Sequence, residues 1–231
     1  KDGNLSDTSA FYQHVGKSVN EIRQQSPHAH SSTFNIRTNQ LYVADLGMDK
    51  IVVYDYEAAK GIIKARPELN VEAAPGAGPR HFEWHPNGYV LYVINELNCT
   101  ISVYKCRDDQ HLELLQNVTT LPENFDGIKS CADIHISSDG SFLYGSNRGD
   151  SSIVKFSIDP YDFTLNDPEH FSTFGKWTRN FAISPDQEYV FVANQDTDNI
   201  VVFDRNTQDG SIVNTGIEID IPSPVCIKFL K

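Results

Sequence analysis

Five side chains able to bind an anion or move a proton recur at matched places in this chain: His30, Arg80, Glu96, Arg148 and Arg179. His30, Arg80, Ala132 and Arg179 open four equivalent apolar segments. Leu46, Glu96, Arg148 and Gln195 each follow directly on an equivalent Asp or Asn. Guanidinium groups offer planar, paired donors to phosphate, carboxylate or a developing oxyanion. A carboxylate or an imidazole can take a proton from water when positioned and tuned for it. Brought together, these groups would form a mostly cationic pocket holding one carboxylate and one imidazole. The rival reading is scaffolding, with Arg80 merely holding Glu96, because isolated Arg–Glu pairs often contribute nothing measurable.

The matching rests on a repeat. Tyr42-Val-Ala-Asp45, Tyr92-Val-Ile-Asn95, Tyr144-Gly-Ser-Asn147 and Phe191-Val-Ala-Asn194 align at intervals of 50, 52 and 47 residues. A second apolar run follows each block, beginning at Ile51, Ile101, Ile153 and Ile200. Another apolar residue stands eight positions before each lead aromatic: Phe34, Trp84, Ile136 and Ile183. A period near fifty residues points to a propeller or solenoid. Aromatic and β-branched enrichment with closely spaced turn signals favours sheet over helix. In the best-defined repeat the strands are expected over 80–85, 89–95, 100–106 and 112–119, with Pro86-Asn-Gly88 as a hairpin turn. Four short antiparallel strands per repeat make a propeller blade, so the fold class is an all-β propeller.

Four full blades are expected over about 26–222. Residues 1–25 are expected to supply the outer strand of a preceding blade, and 223–231 the inner strand of a closing one. On that reading a further upstream segment completes the ring, because an open propeller would leave strand edges unpaired. The first strand of each blade starts at one face and the second returns to it. Both rows of candidate residues therefore ring the same mouth of the central channel, provided the register holds; a slip of one residue would turn every side chain to the other face.

The bulk properties narrow the classes of partner. The formal charge is −12, with hydrophobic residues at 39% and charged residues at 22%. An acidic surface argues against nucleic acid, which needs a basic face. No apolar run approaches a membrane span. Cys99, Cys106, Cys131 and Cys226 show no CxxC spacing and read as unpaired thiols, which suits a reducing, cytoplasmic compartment. No Gly-x-Ser-x-Gly nucleophile motif is present. His28, His30, His81 and His85 do not make a metal-ligand set, so neither metal nor cofactor is expected. His81 and His85 are expected to pack or cap turns, and Asp133 and His135 to be structural.

Four ordered motifs carry a resemblance: Pro27-His-Ala-His30, Gly78-Pro-Arg-His-Phe82 with His85-Pro-Asn-Gly88, Tyr92-Val-Ile-Asn-Glu96 and Ser146-Asn-Arg-Gly149. From about 26 to 230 the chain resembles the seven-bladed propeller lactonases, a family that includes one type of 6-phosphogluconolactonase and the fungal carboxymuconate cycloisomerases. The resemblance implies a seven-bladed parent and a catalytic site at the channel mouth made of His28 or His30, Arg80, Glu96 and Arg148. It implies a small anionic lactone as substrate and no cofactor. A cycloisomerase, a lactonase for another acid, or a non-enzymatic binding propeller are the alternatives. Glu96 leads as general base and His30 follows, although arginine neighbours would weaken Glu96 in that role. Substrate binding is expected to draw on His28, Arg179 and Gln195, with Asp186 or Asp196 as a competing ion-pair partner for Arg179.

Overall fold

The computed structural model describes residues 7–57 and 60–230. They form four antiparallel sheets. The first holds β1 (Ala29–Asn35), β2 (Gln40–Asp45), β3 (Lys50–Glu57) and β4 (Ile62–Ala65), with the short β5 (Val71–Glu72) also on β3. The second is β6 (Pro79–Trp84), β7 (Val90–Asn95), β8 (Thr100–Cys106) and β9 (Leu112–Thr119). The third is β10 (Cys131–Ile136), β11 (Phe142–Asn147), β12 (Ser152–Ile158) and β13 (Leu165–Ser172). The fourth is β14 (Thr178–Ile183), β15 (Tyr189–Asn194), β16 (Asn199–Arg205) and β17 (Ile212–Asp220). Each sheet is a four-strand meander, and the inner strands β1, β6, β10 and β14 neighbour one another in order. This is the blade arrangement the repeat predicts.

The core lies between blades. Side chains alternate along a strand, so a strand sandwiched by two neighbouring blades must be apolar on both faces. In the second blade Tyr92, Ile94, Ile101 and Val103 pack toward Leu143, Val154 and Phe156 of the third. Leu91, Val93 and Tyr104 pack the other way, against Tyr42, Ile51 and Val53 of the first. The lead tyrosines are fully buried. Tyr42 Oη donates to Gln40 of its own strand, while Tyr92 Oη donates to Phe163 O at 3.0 Å and Tyr144 Oη to Gly210 O at 2.7 Å, stapling the second and third blades each to the next. Phe191, with no hydroxyl, instead meets the Phe229 ring edge at 5.4 Å.

The first two turns of every blade use the left-handed region at the same place. The hairpin between the first and second strands places Asn39, Gly88, Gly140 and Gln187 at φ of 55°, 72°, 76° and 68°. The next turn does so at Asp49, Cys99, Ser151 and Asp198.

The ends differ from expectation. Residues 7–28 contain no strand, and 1–6 lie outside the described residues. The segment lies across the first blade instead, because its polar side chains bond to that blade rather than to a ladder. His14 bridges Asp45 Oδ2 at 2.6 Å and Tyr54 Oη at 2.8 Å, Ser18 donates to Asp49, and Gln24 Nε2 to Leu46 O. Residues 221–230 likewise carry no strand. There the amide of Ile227 donates to a side chain, Asn180 Oδ1, at 2.6 Å, in place of a backbone partner.

Candidate active site

Two features of the backbone set the mouth. One is a row of equivalent hydrogen bonds after the second strand of each blade. Leu46 N donates to His28 O at 2.9 Å, Glu96 N to Gly78 O at 2.7 Å, Arg148 N to Ser130 O at 2.8 Å and Gln195 N to Trp177 O at 3.2 Å. The four residues aligned in the sequence are thus held alike. The other is a bulge in every inner strand. The register steps from Ala29 to Ser31, Pro79 to His81 and Thr178 to Asn180 against single steps on the partner strand, which leaves His30, Arg80 and Arg179 as inserted residues. The third blade is irregular at the same level, between Cys131 and Ile134. A bulge breaks strict alternation and re-aims a side chain. Arg80 and His81 consequently both reach the neighbouring inner strand: Arg80 Nη1 donates to Ala132 O at 2.6 Å, and His81 Nδ1 pairs with Asp133 Oδ1 at 2.6 Å.

Glu96 is the hub. Its Oε2 receives Arg80 Nε at 2.9 Å and Arg148 Nη2 at 2.8 Å, and its Oε1 is paired with Arg23 Nη1. The Glu96 side chain is 2% exposed, Arg80 3% and Arg148 5%. Burial favours the neutral acid, but Arg148, Arg23 and Arg80 together outweigh it and keep the Glu96 carboxyl below its usual range. Burial and the Arg148 charge bring Arg80 down to about 10, still cationic at neutral pH. Arg148 also donates to Cys131 O at 3.0 Å and lies over the Trp177 ring at 5.3 Å. Its buried Nε has no partner. Three guanidiniums around one carboxylate leave the mouth with excess positive charge.

His30 joins this cluster. Its ring centroid is 5.0 Å from that of His81, and its buried Nδ1 has no hydrogen-bond partner. Burial, then Arg80 and His81, push its pKa down to about 3, so the ring is neutral. Arg179 is close enough to act on both His30 and Arg80. It has no ion pair with Asp186 or Asp196; Asp186 accepts from Ser184 and the Glu188 amide instead. Gln195 presents a buried, unpartnered Oε1 on the same row. His28 stands apart: its side chain is exposed, and its contacts are backbone ones, N to Asp45 Oδ1 and O from Leu46 N.

Three participants had not been expected. Arg23 lies outside the repeat, and a turn capped by Asn20 Oδ1 delivers it. His81 does not simply pack, and Asp133 is the most heavily bonded carboxylate of the channel. Asp133 accepts from His81, His135 Nε2 at 3.2 Å, Asn180 Nδ2 and the amides of Ile134 and Phe181. With Ser31 Oγ on Arg80 O at 2.6 Å and Ile227 N on Asn180, a polar belt runs across all four inner strands. It borders a cavity of about 300 Å³ lined by Ser31, His81, Glu83, Asp133, His135 and Asn180 among others. His85 does cap its turn, accepting from Asn87 N at 3.2 Å. Among the described residues no group of His, Cys, Asp and Glu is arranged to hold a metal ion.

The model of the family described as "Lactonase, 7-bladed beta-propeller" matches residues 1–229. The chain belongs to this lactonase family. It is 34% identical over 231 residues to the 6-phosphogluconolactonase of Bacillus subtilis, covering all of this chain and 65% of that protein. It is 36% identical over 214 residues to the 6-phosphogluconolactonase of Formosa agariphila, covering 91% of this chain and 60% of the relative. The solved structure of a periplasmic gluconolactonase from Pseudomonas aeruginosa superposes with a TM-score of 0.89 at 33% identity, over 95% of this chain and 61% of that one. The chain therefore spans about three fifths of the length of these lactonases. Its four described blades follow one another as consecutive blades of such a propeller. No helix among the described residues is long and apolar enough to cross a membrane.

Proposed function

We propose that this lactonase hydrolyses an anionic sugar δ-lactone, with 6-phosphoglucono-1,5-lactone as the first candidate. The observation that carries the reading is the enclosure of Glu96 by Arg23, Arg80 and Arg148 beside a neutral imidazole. Such a site attracts an anion and stabilises negative charge that develops on a carbonyl oxygen. Arg80 spends its Nε and Nη1 on Glu96 and Ala132, so it organises more than it grips. Arg148, with its unpartnered Nε, and Arg179, with no ion pair among the described residues, are the donors left for phosphate and oxyanion. Gln195 supports the substrate's hydroxyls. Glu96 has both oxygens committed to guanidiniums, so water activation falls to an imidazole.

The unphosphorylated gluconolactone is the second reading, favoured by the name of the Pseudomonas relative. A cycloisomerase for another acid uses the same cationic mouth. The four cysteines are free, which suits a cytoplasmic setting. The test is hydrolysis of freshly prepared 6-phosphogluconolactone and of gluconolactone, with spontaneous opening subtracted. Saturable turnover of the phosphorylated lactone is expected. Turnover of neither would overturn the lactonase reading and favour a binding role.

A further inference from the structure

Beside the arginine cluster the channel holds an arrangement that the anion-binding role does not use. Asp133 is 3% exposed and accepts the Nδ1 proton of His81 at 2.6 Å. His135, Asn180 and two backbone amides hold the same carboxylate in place. Burial would favour the neutral acid, but His135 and His81 keep the carboxyl ionised, well below the ordinary aspartate range. An ionised, immobilised acceptor at Nδ1 fixes the tautomer of His81: the proton is on Nδ1 and the lone pair on Nε2. That Nε2 is 3.3 Å from Arg80 Nη1, and the ring is 29% exposed. The contact to Arg80 is long, so a water drawn in by substrate can replace it.

We propose that His81 is the general base of the hydrolysis and that Asp133 is its positioning residue. This rests on the lactonase reading and names the proton acceptor within it. The water oxygen bonds to the lactone carbonyl carbon as one water proton passes to His81 Nε2. The carbonyl π pair moves onto oxygen, facing Arg148. Collapse of that oxyanion breaks the ring C–O bond, and the leaving alkoxide takes the proton back from His81. The second water proton leaves with the new carboxyl group when it ionises. His30 is the other imidazole, but its Nδ1 has no partner to orient it, and burial with two cationic or imidazole neighbours makes it a poor base. Asp133 holds His81 in one tautomer and orientation, as an orienting carboxylate does for a catalytic histidine elsewhere.

The test compares His81→Gln, His30→Gln and Asp133→Asn in the full chain on whichever lactone the wild type turns over. His81→Gln is expected to lower kcat by about 10²–10⁴, the usual worth of a general base, with KM little changed. Imidazole added to His81→Ala should restore part of the rate. Asp133→Asn is expected to lower kcat with KM little changed, since His81 loses the acceptor that fixes its tautomer. Should Asp133→Asn not fold, the two histidine variants still decide. If His81→Gln keeps its kcat while His30→Gln loses it, the assignment is overturned and the lactonase reading stands. If the wild type turns over neither lactone, the reading beneath it fails first.

Discussion

Arg80 Nε lies 2.9 Å from Glu96 Oε2, and neither side chain is more than 3% exposed. A pair this deep is poor evidence for net stability, but removing one partner strands the other's charge. Glu96→Gln leaves Arg23, Arg80 and Arg148 facing one another. It is expected to lose about 3–5 kcal/mol in urea unfolding. A loss below about 1 kcal/mol, the worth of an exposed pair, would show that Glu96 is not the organiser.

Arg23 reaches the same carboxylate from the surface, with a side chain 43% exposed. Solvent screens that contact. Arg23→Ala should cost less than about 1 kcal/mol in the same assay, while weakening the binding of an anionic inhibitor such as inorganic phosphate.

Arg148 is assigned to the anion. Arg148→Ala should raise KM for a phosphorylated lactone far more than for gluconolactone. Equal effects on both substrates would remove its anchoring role and leave it the oxyanion contact and the partner of Glu96 and Cys131 O.

Gly149 stands next to Arg148, and a Cβ on it would lie 1.7 Å from Ile128 O. The obstacle is backbone, so a segment must move. Gly149→Ala should cost about 1–3 kcal/mol, as overpacking does. It should also raise KM, because Arg148 moves with its neighbour. Calorimetry and kinetics on one preparation check both.

Two histidines set opposite pH limits on stability. Burial, Arg80 and His81 hold His30 at about 3, below the ordinary 6.5. The unfolded chain then binds the extra proton, so this contribution is present above pH 6.5 and lost as pH falls toward 3. For His135 burial opposes charge, but Asp133 and Glu83 prevail and raise it to about 10. Its contribution is present below pH 6.5 and lost as pH rises toward 10. His30→Gln should flatten the acid side of a Tm-against-pH curve, and His135→Gln the alkaline side.

The repeat made the blades, the inter-blade core and both mouth rows legible, because equivalent residues reappear every fifty or so positions. Arg80, Glu96, Arg148 and His30 were found that way. Arg23 was not, because nothing in the repeat corresponds to it. His81 was expected to pack or cap a turn and Asp133 to be structural, since in an alternating strand Arg80 and His81 would not both reach the same neighbour. A bulge lets them, and its place is a matter of register that apolar spacing does not encode. The hairpin at Gly88 announced its left-handed residue, and Gln187, at the aligned place in the fourth repeat, adopts the same conformation without a glycine's freedom.

The bulged residues have a peculiar status. The ladder on either side of His30, Arg80 and Arg179 closes without them. A new side chain at any of them leaves the pairing that builds the blade with the same count, although at Arg80 the buried pair with Glu96 would be lost with it. One architecture can thus carry different side chains at its mouth, blade by blade.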